Sequence, residues 1–330
     1  MASVKADLTG VESIPVKKEE ETGVLIPSLQ GKKYKLQLTP NGLDRCSDTG
    51  IAFQVKRSTT VEYEVEYGSQ YMKLVEEKKC ELVGPLFNLK FDDNSVLCVH
   101  LPHYVNIKGE NNSKIECGYF KDGKVNTKTP FKIESSSIVL KNPTPCCVGA
   151  LWGSSFWRKN PVPFSAKVLL YASVLMPHKQ ESKEYKVHLY LIPAEKPELK
   201  KLDTLKAQSG FKLIDKPSDI SRDVYENTDY TVTVEDPKAI IFPSVLNFKP
   251  NRDISQSSFV EITVAGSAEK ICLSLKDKRK QLWKGELTKG DLKDLIDEMT
   301  SPAEEFPPGQ DCNHHTTTIA GQPLSKETQK

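Results

Sequence analysis

One segment near the start of the chain constrains the fold most strongly. Residues 61–67 read Val-Glu-Tyr-Glu-Val-Glu-Tyr, so apolar and acidic side chains alternate without a break. Because side chains of a β-strand point alternately to opposite faces, this run predicts a strand with one buried and one solvated face. Residues 34–38, 51–55 and 187–192 show similar strand patterns. The chain is therefore expected to be rich in half-buried strands.

Short strand patterns separated by turn signals fill both halves of the chain. Pro40-Asn41-Gly42 and Lys121-Asp122-Gly123-Lys124 are typical turn sequences. Closely spaced strands favour antiparallel sheets over alternating strand–helix units. With 330 residues, the chain is long enough for two domains with cores of their own. We predict an all-β protein of two consecutive antiparallel β-sandwiches.

The ends of the chain are polar, and two segments between strands have helical spacing. Leu199, Leu202 and Leu205 recur at helical spacing after Pro197. Polar segments with little to bury are expected to stay disordered. The predicted organisation is a disordered N-terminus at 1–30, a first sandwich at 31–145, a second sandwich at 146–295 and a disordered tail at 296–330, with short helices at about 197–208 and 289–299.

Charge and cysteine content exclude several classes of function. Lys and Arg number 46 against 44 Asp and Glu, so the charge balance indicates neither a nucleic-acid nor a membrane partner. Without a secretory signal or a long apolar run, a cytoplasmic protein with free thiols is expected. His100-x-x-His103 and Cys312-x-His314-His315 are the candidate metal pairs, and each lacks a second pair at suitable spacing. We expect no metal and no cofactor.

The midpoint of the sequence carries a stiff turn followed by two adjacent cysteines. A short apolar strand at 135–140 leads into Asn142-Pro143-Thr144-Pro145, and Cys146 and Cys147 come next. Each proline removes a backbone donor and biases the residue before it toward an extended conformation. The turn is open to two interpretations, a site of nucleophilic chemistry or a loop between sandwiches with structural thiols.

Four motifs in the two halves of the chain are specific enough to compare with known families. They are Val83-Gly84-Pro85-Leu86-Phe87, Val99-His100-Leu101-Pro102-His103-Tyr104, His188-Leu189-Tyr190-Leu191-Ile192-Pro193 and Leu275-Lys276-Asp277-Lys278 with Trp283. These motifs resemble the function-to-find domain (FIIND) of certain inflammasome sensors. The resemblance extends over about residues 31–293. It implies a ZU-type sandwich followed by a UPA-type sandwich.

The same resemblance implies a self-cleavage site at the junction of the two subdomains. In FIIND proteins a serine preceded by phenylalanine attacks its own upstream carbonyl, with assistance from a histidine of the first subdomain. Here Cys146 stands at the serine position, Pro145 at the phenylalanine position and Tyr119 at the histidine position. A phenol with a pKa of about 10 is a poor base at neutral pH, so we expect self-cleavage to be lost. His100 and His103 are expected to be structural.

Three functions follow from these residues and from the resemblance. The first is a non-catalytic FIIND-type regulatory module of inflammasome-like innate immune signalling, which binds other FIIND or UPA domains or cytosolic dipeptidyl peptidases. The second is a module that cleaves itself at the Pro145–Cys146 bond through Cys146. The third is an ankyrin-like structural adaptor. The sequence contains neither a P-loop nor room for a caspase-recruitment domain after the second sandwich, so it is interpreted as a FIIND standing alone.

Overall fold

The computed structural model describes most of the chain between residues 22 and 292. The described ranges are 22–40, 42–67, 69–107, 114–153, 161–175, 184–220, 222–278 and 280–292. Within them, no helix is long and apolar enough to cross a membrane.

The first half forms two facing β-sheets. Its strands are β1 Thr22–Leu25, β2 Ser28–Gln30, β3 Lys33–Leu38, β4 Leu43–Cys46, β5 Ala52–Val55, β6 Thr59–Glu66, β7 Cys80–Lys90, β8 Val96–Pro102, β9 Ile115–Lys121, β10 Lys124–Lys128, β11 Lys132–Ile133, β12 Ser137–Lys141 and β13 Cys147–Gly153. A six-stranded sheet has the order β1-β4-β5-β8-β12-β11, and a seven-stranded sheet has the order β10-β9-β13-β7-β6-β3-β2. The predicted sandwich is confirmed.

The alternating run at 61–67 supplies the contact that joins these sheets. Tyr63 on β6 is buried and stacks on Tyr34 of β3, with ring centroids 5.2 Å apart. Its ring also packs against Phe53 of β5 in the opposite sheet at 6.2 Å. The hydroxyl groups of Tyr63 and Thr49 lie 2.8 Å apart and share a hydrogen bond. A buried phenol thus keeps its polar atom satisfied inside the sandwich.

A helix that the sequence analysis missed covers the outer face of the seven-stranded sheet. This helix, α1, spans Ser69–Glu77. Its Val75 is buried, and its Tyr71 ring meets Phe120 of β9 edge to face at 5.5 Å. Tyr71, Leu74 and Val75 recur at helical spacing, a signal that was present in the sequence.

The second half also forms two sheets, together with the predicted helix. Its elements are β14 Ala166–Leu175, β15 Glu184–Pro193, α2 Leu199–Gln208, β16 Lys212–Ile214, β17 Asp229–Val234, β18 Ile240–Phe242, β19 Val245–Asn247, β20 Phe259–Ala265, β21 Lys270–Lys276 and β22 Gln281–Thr288. The sheets have the orders β16-β14-β15-β20-β18 and β19-β17-β21-β22. Residues 289–292 are helical, and the rest of the predicted 289–299 helix lies outside the described residues.

Three local expectations differ from the structure. Residues 22–30, expected to be disordered, form β1 and β2, which extend one sheet each; residues 1–21 and 296–330 lie outside the described part of the chain. β1 pairs with β4 in parallel, so the first sandwich is not antiparallel throughout. The sequence also predicts a short strand at 103–107, but there the structure has an isolated bridge between Val105 and Phe164 of the other half.

The strand after the proline turn belongs to the first sandwich. The sequence analysis placed it at the start of the second sandwich, but β13 pairs with β7 on one edge and β9 on the other. Val148 and Ala150 bury one face of this strand in the core between the sheets, and Leu151 buries the other face beneath α1. The Pro145–Cys146 bond therefore lies where the chain crosses from one sheet of the first sandwich to the other, and not between the two sandwiches.

The two halves share buried contacts. Phe164 is fully buried and bridges to Val105 of the first half and to Val224 of the second. The amide of Asn106 donates to the carboxylate of Asp223 at 2.7 Å. The hydrophobic core thus continues from one half into the other.

Candidate functional site

The turn between β12 and β13 is held by backbone hydrogen bonds at both ends. Asn142 has a φ of +46°, a left-handed conformation that asparagine tolerates well, and its N–H donates to Leu97 O at 2.8 Å. At the other end, the N–H of Leu89 donates to the carbonyl of Cys146 at 3.0 Å. Backbone hydrogen bonds therefore hold the chain on both sides of the Pro145–Cys146 bond.

The fold brings two of the three predicted site residues to the same face. Val148 of β13 pairs directly with Tyr119 of β9, and Ala150 pairs with Cys117. Because alternate residues of a strand share a face, Tyr119 and Cys146 both lie on the side of Val148. Both are half-buried and pack against the edge of the core between the sheets. The two positions that the family resemblance singled out thus lie on the same side of the sheet.

The Cys146 thiol is not activated by its surroundings. Burial raises its pKa above the ordinary value, while the contact with Thr144 and the charges of Lys121 and Lys128 counter part of that rise. The thiol donates to the carbonyl of Thr144 at 3.3 Å. Since the thiolate is the nucleophile, a thiol that stays protonated at neutral pH is a poor one.

Tyr119 cannot act as the base that this position requires. Burial raises its pKa above the usual range for a phenol, and the neighbouring Cys117 raises it further. The ammonium group of Lys128 lies 5.0 Å from the centroid of its ring. Burial also raises the pKa of Cys117 to about 12, so this neighbour is protonated as well. A protonated phenol has no proton-accepting role at neutral pH.

Pro145, the third predicted site residue, is exposed to solvent. Phe164-Ser165 has the residue types of the family's cleavage pair but lies immediately before β14, with Phe164 fully buried. That pair serves as a packing element at the junction of the halves.

The histidines in the described part of the chain form hydrogen bonds with glutamate residues and not with Cys146. His100 Nδ1 lies 3.1 Å from the carboxylate of Glu134, and His103 Nε2 lies 3.1 Å from its backbone carbonyl. Burial lowers the pKa of His103 to about 4. His188 Nε2 lies 3.0 Å from the carboxylate of Glu261. The metal candidate Cys312-x-His314-His315 lies outside the described residues.

Cys117 is a site neighbour that sequence reasoning did not select. It lies two residues before Tyr119 on β9 and is completely buried. Its thiol donates to the carbonyl of Gly118 at 3.9 Å, and its presence raises the pKa of the neighbouring Tyr119. Ile115, Cys117 and Tyr119 alternate in the sequence, which indicates that Cys117 lies on the same strand face as Tyr119.

Comparison with known proteins agrees with this architecture. The family model "FIIND: Function to find" matches residues 27–158, and the "UPA-FIIND domain" model matches residues 164–287. The boundary between the two matched segments falls after β13, as the sheet pairing requires.

Curated relatives match the same region. NACHT, LRR and PYD domains-containing protein 1b allele 3 of Mus musculus is 26% identical over 279 residues, which is 83% of this chain and 23% of the relative. Protein 1a of Mus musculus is 27% identical with the same coverage of both chains. Protein 1a allele 1 of Rattus norvegicus is 27% identical over 83% of this chain and 22% of its own length.

This chain spans less than a quarter of the length of those relatives. The two family models, by contrast, follow one another in order and together cover most of the described residues. The chain belongs to the FIIND family.

Proposed function

We propose that this chain is a non-catalytic FIIND-type regulatory module of inflammasome-related signalling, and that its Pro145–Cys146 bond stays intact. It acts in the cytoplasm through protein contacts and not through chemistry. Its partners are other FIIND or UPA domains, and cytosolic dipeptidyl peptidases form a second class. The inflammasome connection comes from the family assignment and from the curated relatives.

One observation supports the loss of self-cleavage more than any other. The residue paired with Val148 beside Cys146 is a half-buried phenol whose pKa is raised, whereas the resemblance implies a histidine there in a cleaving member of the family. An N-to-S acyl shift needs a thiolate or a base that accepts the thiol proton. The described surroundings of Cys146 contain two protonated neighbours, Tyr119 and Cys117, and neither accepts a proton at neutral pH.

The position of β13 gives this loss a structural consequence. Because β13 is hydrogen-bonded on both edges, it holds the second half to the first whether or not the preceding bond is cut. In a cut chain the two fragments could separate only if β13 left its sheet, whereas in an uncut chain they stay covalently linked even when the protein unfolds. An uncut module therefore suits a role in sequestering partners rather than in releasing a fragment.

Co-purification tests the binding role. The tagged chain is expected to retain the FIIND segment of the mouse relatives or a cytosolic dipeptidyl peptidase from a cell extract, at wild-type level also in the Cys146→Ala variant. Retention of other proteins in place of both would support the ankyrin-like adaptor. Retention that disappears in Cys146→Ala would show that the thiol takes part in binding.

Self-cleavage through Cys146 is the second candidate. The thiol is half-buried and not sealed in the core, and Lys121 and Lys128 oppose the rise of its pKa. A denaturing gel of freshly expressed protein separates the two candidates. One full-length band for both the wild type and Cys146→Ala supports the non-catalytic module, whereas two fragments in the wild type alone support self-cleavage.

A further inference from the structure

Strand β10 lies at an open edge of the seven-stranded sheet. Its one side pairs with β9, and no strand lies along its other side in the described part of the chain. Asp122 and Gly123 form the turn between β9 and β10, with φ angles of +51° and +68°. Two positive φ angles in a two-residue turn are typical of a type I′ hairpin, whose end residues form a hydrogen-bonded pair. Lys121 and Lys124 are therefore such a pair.

This pair determines which backbone groups of β10 face the open edge. In an antiparallel ladder, hydrogen-bonded and non-hydrogen-bonded residue pairs alternate. The backbone groups of Lys124, Asn126 and Lys128 therefore bond to β9. The N–H and C=O groups of Val125 and Thr127 point to the open edge instead. This edge can accept one more antiparallel strand.

Strand alternation collects lysines on one face of this edge. Lys124 and Lys128 are exposed and lie on the same face as Lys121 and Tyr119 of β9. Within the described length of β9, β10 and β13, no Asp or Glu lies on this face. Lys121 and Lys124 are directly opposite each other, and like charges in that position are destabilising. The face therefore attracts a negative side chain.

A second edge strand shows how lysines are paired elsewhere on the molecule. The edge strand β22 contains Lys284, which pairs with Glu235 at 3.2 Å, and Glu286, which pairs with Lys270. The lysines of β10, by contrast, form no ion pair with any residue that the structure describes. Their charges are therefore available to a partner.

The opposite face of β10 is apolar at its centre. Val125 is buried with Phe120 and Leu151 in the cluster beneath α1. In an added strand, the side chain directly opposite Val125 would lie beside this cluster. The edge therefore favours a strand in which acidic and apolar residues alternate.

We propose that β10 binds an extended acidic segment of a partner protein as an eighth strand of the seven-stranded sheet. The segment runs antiparallel to β10, with acidic side chains opposite Lys124 and Lys128 and an apolar side chain opposite Val125. A second copy of β10 is a poor occupant, because antiparallel pairing about Asn126 would place Lys124 of one copy opposite Lys128 of the other. This inference rests on the binding role proposed above and names the chemistry of one partner segment.

An NMR titration of the full chain with the peptide acetyl-Glu-Val-Thr-Val-Glu-amide tests the proposal. At millimolar peptide the amide signals of Val125 and Thr127 should shift, and their hydrogen exchange should slow by about tenfold near saturation, because the peptide backbone bonds to them. At about 50 mM salt, where charges are weakly screened, the peptide with Gln in place of Glu should bind about fivefold more weakly. Equal affinity of the two peptides, or no shift at Val125 and Thr127, would overturn the proposal.

Backbone methylation of the peptide distinguishes strand addition from simple charge attraction. The N–H groups of the two valines face β10 in the proposed pairing, so N-methylation of either valine should abolish the protection of Val125 and Thr127. The N–H of the central threonine points to solvent, so its N-methylation should leave the affinity unchanged. An equal loss of affinity from methylation at valine and at threonine would contradict the proposed pairing.

Charge reversal locates the binding edge. Combining Lys124→Glu with Lys128→Glu should abolish binding of the acidic peptide and permit binding of acetyl-Lys-Val-Thr-Val-Lys-amide. The first of these changes places a carboxylate opposite Lys121, so the variant is expected to fold, and a melting curve checks this. Combining Lys200→Glu with Lys238→Glu makes the same change of net charge at exposed positions of the second half and should leave binding unchanged. Equal weakening by both double variants would overturn the proposal.

Co-purification of whole partners tests the binding role separately. If partners are retained but the acidic peptide does not bind, the assignment of β10 is wrong and the binding role stands. If the acidic peptide binds as described but no partner is retained, the binding role fails and the assignment of β10 stands.

Discussion

Val148 and Tyr119 are paired residues on adjacent strands, and this pairing places a phenol on the same strand face as Cys146. The resemblance to FIIND implies a histidine at position 119 in a self-cleaving member. We propose that the weak basicity of the phenol prevents self-cleavage in this chain.

The first prediction concerns the reactivity of Cys146. Its labelling by iodoacetamide at neutral pH should be slower than that of a free cysteine, because burial raises its pKa. The rate should increase as the pH rises through 9. Peptide mass spectrometry measures the modified fraction at this residue, with Cys146→Ala as the blank. Labelling faster than that of a free cysteine at neutral pH would show an activated thiol and would contradict the inactive site.

The second prediction concerns the core of the first sandwich. Trp152 on β13 is 3% exposed, so Trp152→Ala should lower the free energy of unfolding by about 3–5 kcal/mol. Phe242→Ala is the matched control, since that ring is 77% exposed and its removal should change stability by about 0.5 kcal/mol or less. Urea denaturation measures both. An unchanged midpoint for Trp152→Ala would mean that β13 is not part of the core.

Period-two patterns predicted the strands well because burial of one face is a local property of the sequence. The run at 61–67 became β6, and the run at 187–192 lies inside β15. Leucine spacing likewise predicted α2 to within two residues. What the sequence did not reveal is pairing: nothing local in Cys147–Gly153 shows that β7 and β9 flank it, so the strand was placed in the wrong sandwich.

The sequence and the family resemblance allowed candidate site residues to be named, but their environment could not be predicted. Spacing against the family located Cys146 and Tyr119, and the register shows that they share a face. The contacts of Cys117 and the burial that raises the pKa of each group depend on residues from several strands. Such long-range effects cannot be derived from neighbouring residues along the chain.

The third prediction is a pH dependence of stability that arises from His103. Burial lowers its pKa from 6.5 to about 4, so the unfolded chain binds the proton more readily than the folded one. The stability it contributes is present above pH 6.5 and is lost as the pH falls toward 4. Between pH 7.5 and 5.0 this loss amounts to about 2 kcal/mol.

Urea denaturation at these two pH values measures the loss. In His103→Gln, whose amide can still donate to the Glu134 carbonyl, the fall in stability should be smaller by about 2 kcal/mol than in the wild type. Burial raises the pKa of Glu134, but Lys132, Ser137 and His100 outweigh it and lower the pKa to about 2. The stability that Glu134 contributes is therefore lost mainly below the two pH values compared here. The same pH dependence in both proteins would show that His103 is not the group responsible.

The fourth prediction restores the family's residues at the site. Combining Tyr119→His, Pro145→Phe and Cys146→Ser should produce a chain that cuts itself before position 146, because the strand register that presents position 119 to position 146 is already in place. The same variant with alanine at position 146 should stay whole. A restored variant that remains uncut would mean that further residues, and not these three, prevent cleavage.

The intact mass of the freshly purified wild-type chain, measured under denaturing conditions, tests the central claim most directly. We predict one full-length species in the wild type and in Cys146→Ala, because neither the thiol nor the phenol beside it is activated. Two species corresponding to residues 1–145 and 146–330 in the wild type, with Cys146→Ala intact, would contradict the claim and establish Cys146 as a working nucleophile.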